Sequence, residues 1–446
     1  MTPSRLSFAV ACALLASPDG NAADLLDVFR QAQSADAVYA SARAQWAAAQ
    51  ERIPQGRAGL LPQASATANT LYNDRTITFR SPFIPGSSTQ FNSNAITLQI
   101  TQPIFRRQNF IAYEQAQSQV NQAEAQFAQA AQDLILRVAQ GYFDVLLAQD
   151  NVALAQAQKA AIGQQLEQAK RNFEVGTATI TDTHEAQARY DLTVSQEIAS
   201  QNDLELKRRS LEQIIAQPSP PLAPLGTRLA LKPPEPSTIE TWVEEARRTN
   251  LQVRAAEAGL QFASQAIERN RSGHYPTLDA IASYQQQAQG AGISGVQSPG
   301  FDAKVRAIGF QVTIPLYQGG LVNSQVREAI ANEDRARQDL ENARRTAEFN
   351  ARQAYLGVSN GLAQVQALQA ALVSSQSQLE STRLGQQVGV RTQVDVLNAQ
   401  QQLYTARRDL AQARYNYVVS LLKLKAAVGE LTEDDIAAIN RWLGES

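Results

Sequence analysis

Proline is absent from residues 104–217 and from 316–446. A proline inside a helix removes a backbone hydrogen bond and costs about 3 kcal/mol, so its absence marks where very long helices can form. Apolar residues recur there at helical spacing: "AEAQFAQAAQDLILRVAQGYFDVLLAQ" carries Phe127, Leu134, Val138 and Val145 among alanine and glutamine. The pattern predicts helices over about 106–174 and 318–387, each followed by a shorter one, over about 179–216 and 392–428. A helix of about 70 residues is roughly 100 Å long. It needs lateral partners along its whole length, which implies coiled-coil packing. Alanine at the contacts permits close approach, and glutamine solvates the other face without charge.

The unit is written twice. "RAGLLPQASATA" resembles "RSGHYPTLDAIA", and "QITQPIF" resembles "QVTIPLY". Tyr142, Gly176 and Asp182 align with Tyr355, Gly389 and Asp395, each pair 213 residues apart (355 − 142, 389 − 176, 395 − 182). A period that long indicates a duplicated half rather than a solenoid repeat of roughly 20–50 residues. The expected layout is a first repeat at 24–217 (a helix, two strands at about 62–105, a helical hairpin at 106–217) and an equatorial linker at 218–240. A second repeat follows at 241–428 (a helix, two strands at about 276–317, a hairpin at 318–428), then a C-terminal equatorial segment at 429–446.

Before each long helix the period changes to two. Ile96, Leu98 and Ile100 alternate with Thr97, Gln99 and Thr101, and Ile308, Phe310, Val312 and Ile314 alternate with Gly309, Gln311 and Thr313. "QASATANTLY" and "TLDAIASYQQQ" alternate more weakly. Each stretch is near ten residues, the length of a tilted transmembrane strand, and polar loops are expected at 73–93 and 288–304. A half-buried soluble sheet has the same alternation. Four strands cannot close a membrane barrel, since the smallest has about eight, and an open edge in lipid costs several kcal/mol per unpaired group. A barrel must therefore be shared between copies: two give eight strands, three give twelve, and a pore wide enough for cargo favours three.

The first 23 residues read as a secretory leader. Arg5 precedes the apolar run 6–16, and "NAAD" offers cleavage after Ala22 or Ala23. Cys12, the one cysteine, falls inside this leader, so the mature chain has no thiol for a disulfide or metal. A net charge of −2 gives no reason to expect nucleic acid. His184 and His274 are the only histidines, neither beside a ligand cluster, and no phosphate loop or nucleophile elbow appears. No enzyme activity, cofactor or metal is expected.

Together, "LPQ", "LQITQPIF", "FEVGTATITD", "HYPTLDA", "IPLYQGGLVNSQV", "VGVRTQVDVLNAQQQLY" and "LAQARYNYV" resemble the TolC family, the outer membrane factors of Gram-negative efflux and type I secretion. The resemblance spans nearly the whole mature chain. It implies an α+β fold: a long α-helical coiled-coil barrel plus four transmembrane β-strands per chain, which complete a twelve-stranded barrel as a homotrimer. It further implies contact with outer-membrane lipid and export of small molecules or proteins. A periplasmic adaptor (membrane fusion) protein would couple the channel to an inner-membrane RND, ABC or MFS transporter. The alternative is a non-conducting periplasmic coiled-coil scaffold or adaptor.

The resemblance also assigns a periplasmic gate. Asp395 is placed in a ring of acids at the constriction, where mutual repulsion would raise its pKa, and Asn398 stands where relatives carry a second acid. Arg391, Thr181 and Asp182 match the contacts that hold the closed state, with Gln386 in place of a tyrosine. A plainer reading stands beside this one. Thr179 to Asp182 and Thr392 to Asp395 both spell T-x-x-D, a helix N-cap with an acid in the first turn.

Overall fold

A computed structural model describes residues 22–226, 231–291 and 300–444. The expected leader lies outside the described residues except for Ala22 and Ala23. The chain opens with α1 (Leu25–Ala35), α2 (Ala37–Gln50) and α3 (Arg52–Ala58), then strands β1 (Gln63–Ile77) and β2 (Ser87–Phe105). The first long hairpin is α4 (Arg107–Glu174) with α5 (Ile180–Ile215). The second half repeats the order with α6 (Ile239–Thr249), α7 (Leu251–Arg271), β3 (Thr277–Gln289), β4 (Phe301–Thr313), α8 (Leu321–Gln387) and α9 (Gln393–Val428). A short α10 (Glu433–Asn440) follows.

The duplication is visible in local chemistry. α4 and α8 have 68 and 67 residues, and α5 and α9 have 36 each. Asp36 caps α2 by accepting from Tyr39 N, and Asn250 caps α7 by accepting from Gln252 N and Val253 N. The halves are not packed alike. α7 lies between α4 and α8, whereas its counterpart α2–α3 packs along α4 alone.

The four strands form one antiparallel sheet in the order β1-β2-β3-β4, so β1 and β4 are both free edges. Its register gathers the alternating residues onto two chemically distinct faces. One cross-strand row reads Ala64, Ile100, Ala282, Ile308, and the next row on the opposite face reads Ser65, Gln99, Ser283, Ala307. Ile96, Leu98, Ile100, Ile308, Phe310 and Val312 are all exposed in the single chain. Among the described residues no helix is long and apolar enough to cross a membrane.

The strands depart from expectation in length. β1 and β2 run to 15 and 19 residues rather than about ten, and the ladder continues through the expected loop 73–93 to Ile77↔Ser87. The polar residues there pair with each other: Asn73 Nδ2 donates to Ser93 Oγ at 2.9 Å, and Gln90 Nε2 to Asp74 Oδ2 at 3.2 Å. Backbone pairing needs no apolar side chains, so a polar composition reads as loop while the ladder persists. The second expected loop, 288–304, is likewise narrowed by pairs out to Gln289↔Phe301. At the other end β4 stops at Thr313, ahead of Pro315, which has no N–H for the ladder, whereas Pro103 is absorbed by a register shift within β2.

The main core lies about the midpoints of the long helices. Leu134, Val138 and Val145 of α4 pack there with Val358 of α8, Val418 and Leu422 of α9, and residues of α1, α6 and α10. The linker joins the segments around Ala23 and Leu443 through the bridges Ala23↔Leu222 and Leu225↔Leu443. The aligned tyrosines hold this layer on. Tyr142 Oη donates to Ala223 O at 2.8 Å and to Ala23 O at 3.2 Å, and Tyr355 Oη donates to Ser237 O.

A forked ion pair fixes the step from sheet to helix. Arg106, between β2 and α4, donates through Nε and Nη2 to the two oxygens of Asp279 on β3, at 2.7 and 2.6 Å. The Asp279 side chain is 7% exposed and that of Arg106 34%. Removing one partner of a buried pair strands the other. Asp279→Ala is expected to cost about 2–3 kcal/mol, below the usual figure for full burial because Arg106 keeps some water. A lower melting temperature of the detergent-solubilised protein checks this, and an unchanged one would leave the fork without a structural role.

Candidate functional site

The two hairpins end in the same turn. α4 stops at Val175, and Gly176 turns the chain with φ 76°; α8 stops at Val388, and Gly389 does so with φ 81°. A left-handed residue after a helix satisfies the last carbonyls, and only glycine adopts it without strain. Ala178 N donates to Asn172 O at 3.2 Å, and 213 residues on, Arg391 N donates to Gly385 O at 3.1 Å.

Each return helix then begins with a capping box. Thr179 N and Oγ1 donate to Asp182 Oδ2 at 3.0 and 2.8 Å, and Asp182 N returns a bond to Thr179 Oγ1 at 3.2 Å. Thr392 and Asp395 repeat it at 2.9, 2.9 and 3.2 Å. The bonds from the Thr392 backbone and then its hydroxyl, with the charge of Arg391 adding, hold the Asp395 carboxyl below its ordinary pKa. Repulsion in a ring of aspartates would act between chains and oppose this lowering, so the cap expected from the T-x-x-D spelling is a counterweight to it.

The other residues expected at the gate are distributed as follows. Arg391 lies over Gly385: a Cβ added at Gly385 would sit 2.7 Å from Arg391 Cγ. Thr181 is exposed on the first turn of α5. Within this chain Arg391 makes no hydrogen bond to Thr181, and the Asp182 carboxylate is engaged by Thr179. Gln386 donates to Gln393, and Gln393 Nε2 donates to Gln165 Oε1 of α4 at 2.9 Å, so amides link the second hairpin to the first. Asn398, one turn beyond Asp395, accepts from Arg189 Nη2 of α5 at 3.1 Å, while Arg189 Nε is 3.3 Å from Glu185. Further from the tip, Gln158 Nε2 donates to Gln401 Oε1 at 2.6 Å.

Arg189, Gln393 and Gln165 were not singled out by sequence reasoning. The Glu185–Arg189 spacing marks a helical ion pair, but the partner of Arg189 across the tip is 209 residues away. Among the described residues no group of histidine, cysteine, aspartate and glutamate could hold a metal.

Comparison with known proteins agrees with this architecture. The profile of the family described as "Outer membrane efflux protein" matches residues 28–217 and 242–430, one segment per half. Outer membrane protein TolC of Vibrio cholerae is 34% identical over 422 residues, covering 95% of this chain and 94% of that protein. Alkaline protease secretion protein AprF of Pseudomonas aeruginosa is 30% identical over 431 residues, covering 96% and 88%. The solved CmeC outer membrane channel of Campylobacter jejuni shares the fold with a TM-score of 0.75 at 17% identity, over 94% of this chain and 89% of that one. The chain belongs to the outer membrane efflux protein family and is an export channel of the outer membrane, not an enzyme.

Proposed function

We propose that the chain acts as a homotrimeric duct, with a twelve-stranded barrel in outer-membrane lipid and a helical tunnel below it. The carrying observation is the four-stranded sheet with one apolar face and two free edges. Three copies remove every edge, which one copy in lipid cannot do. The open side of α2 fits the same arrangement. By the internal symmetry it would receive α8 of the next copy, as α7 receives α4 and α8 within one chain. The midpoint layer of linker and termini would then form an equatorial collar.

The gate lies at the tips of α8 and α9. Asp395 forms the charged ring, and Arg391, Thr181, Asp182 and Gln386 hold the closed arrangement. Asn398 adds no charge there and is tied to α5 by Arg189. A periplasmic adaptor and an inner-membrane RND, ABC or MFS transporter supply the energy. Cargo includes small toxic molecules and proteins, a range supported by similarity to both TolC and a protease secretion protein. A lining of alanine, glutamine and serine has little chemistry with which to choose, so selection falls to the transporter. Membership of a channel family sets aside the soluble scaffold or adaptor.

Export begins with removal of the leader between Ala22 and Ala23. The Ala23 N–H donates to Pro221 O at 2.7 Å and its carbonyl accepts from Ala223 N at 3.0 Å, contacts that cleavage one residue later would delete. The test is purification from the outer membrane. The expected product needs detergent for extraction, begins at Ala23, has the mass of three chains, and conducts cations in planar bilayers. Recovery as a non-conducting protein of the soluble periplasm would overturn the duct.

A further inference from the structure

The internal symmetry also specifies how the two free edges meet. Pro62 and Pro276 occupy equivalent places before β1 and β3, 214 residues apart (276 − 62), and Pro103 and Pro315 in the β2 and β4 regions are 212 apart (315 − 103). The sheet obeys both offsets: the pair Gln63↔Thr101 of β1–β2 maps onto Thr277↔Thr313 of β3–β4, which is the observed pair. The contact between halves, β2 against β3, therefore has a counterpart between copies, β4 against the β1 of a neighbour. Applying the offsets converts Asn94↔Ala288, Ile96↔Gln286 and Thr97↔Gln285 into Arg306 with Asp74, Ile308 with Tyr72, and Gly309 with Leu71.

We infer that a second copy of this chain joins β4 in this register, and that Arg306 pairs with Asp74 of the neighbouring copy across the seam. The inference rests on the trimeric reading above and adds its register.

Three independent complementarities support it. The charges are opposite, although neither residue forms an ion pair within the chain among the described residues. Arg306 lies over the Tyr284 ring at 5.9 Å, and Asp74 accepts only from Gln90 at 3.2 Å. The intrachain counterparts Asn94 and Ala288 are uncharged, so the charge pair exists only where two copies meet. Ile308 and Tyr72, 89% and 68% exposed, make a β-branched and aromatic cross-strand pair, a favourable combination. On the lumenal face Leu71 is a large side chain among polar ones, and it meets Gly309, whose missing Cβ would find nothing within 4 Å. Side-chain faces exclude a slip by one residue, which would turn every apolar residue inward. The rival registers are thus slips by two: one sets Asp74 against Ile308 and Gly309 against Asn73, and the other, which keeps a charge pair through Lys304, sets Arg306 against Tyr72 and Gly309 against Asn69.

Cysteine pairs test the register in the full-length protein in outer membranes, on a background whose only cysteine, Cys12, lies in the leader. Ile308→Cys with Tyr72→Cys is expected to give covalent trimer on mild oxidation, since directly opposed Cβ atoms are about 4.5–5.5 Å apart. Ile308→Cys with Thr70→Cys or with Asp74→Cys is expected to give at least about tenfold less, as diagonal neighbours are about 7–8 Å apart. A second readout needs no oxidation: Arg306→Asp is expected to make the trimer dissociate at lower temperature, and adding Asp74→Arg to restore it. Efficient linkage by a slipped pair, or a trimer in which no pair links and the charge swap restores nothing, overturns the register while the trimer stands. A native mass other than three chains removes the trimeric reading, and the seam with it.

Discussion

Leu98→Arg should abolish the assembled channel, whereas Gln99→Arg, one residue away, should leave it intact. Leu98 shares its face with Ala66 on one side and Tyr284 on the other, in the row next to Ile100 and Ile308. It is 48% exposed in the single chain, and in the barrel that surface meets lipid. An arginine on the lipid face costs up to about 2–4 kcal/mol, the value at the bilayer midplane, so three copies cost up to about 6–12 kcal/mol, comparable with the whole stability of an ordinary fold. Gln99 belongs to the row of Ser65 and Ser283 and faces the lumen, where a guanidinium remains in water. The check is the amount of heat-resistant trimer extracted from outer membranes, with single-channel conductance for Gln99→Arg. Equal loss for the two variants would contradict the assignment of faces.

The second large effect concerns ions. Asp395→Asn is expected to weaken block by a trivalent cation added on the periplasmic side at least about 100-fold, because three carboxylates around one trivalent ion attract it by many times the thermal energy even in water. The substitution separates charge from architecture, since an amide oxygen can still accept from Thr392. Asp182→Asn is the matched comparison: its cap has nearly the same distances, yet its hairpin is not the one assigned to the constriction, so block should persist. If both variants block like the unaltered channel, both aspartates are helix caps and nothing more.

The pH dependence follows from the same bonds. The Thr392 donors hold the Asp395 carboxyl below its ordinary value, so the charged form is favoured by the fold. The capped arrangement is fully present above the ordinary value of about 3.9 and is lost as pH falls through the depressed one. Cation block should accordingly survive acidification to about pH 5. Fading already between pH 6 and pH 5 would mean that repulsion within the ring outweighs the caps.

The sequence by itself determined the elements whose cause is local. Missing prolines and a 3.6-residue period delimit four helices to within a few residues, the T-x-x-D boxes start two of them at Thr179 and Thr392, and Gly176 and Gly389 end the other two. Two-residue alternation located the strands, and the 213-residue offset disclosed the duplication. The resemblance to a family supplied the assembly and the gate, which no local pattern contains. Tertiary structure alone decided three things. It extended β1 and β2 through polar sequence, because ladder bonds join backbones and are indifferent to polarity. It set the register that sorts Leu98 from Gln99, because a one-residue choice between strands distant in sequence reverses every face. It also gave Asn398 and Gln386 their partners, Arg189 and Gln393. Long polar side chains at a helical tip reach many acceptors: the packing of α5 against α9 selects the partner of Asn398, and the turn between α8 and α9 selects that of Gln386.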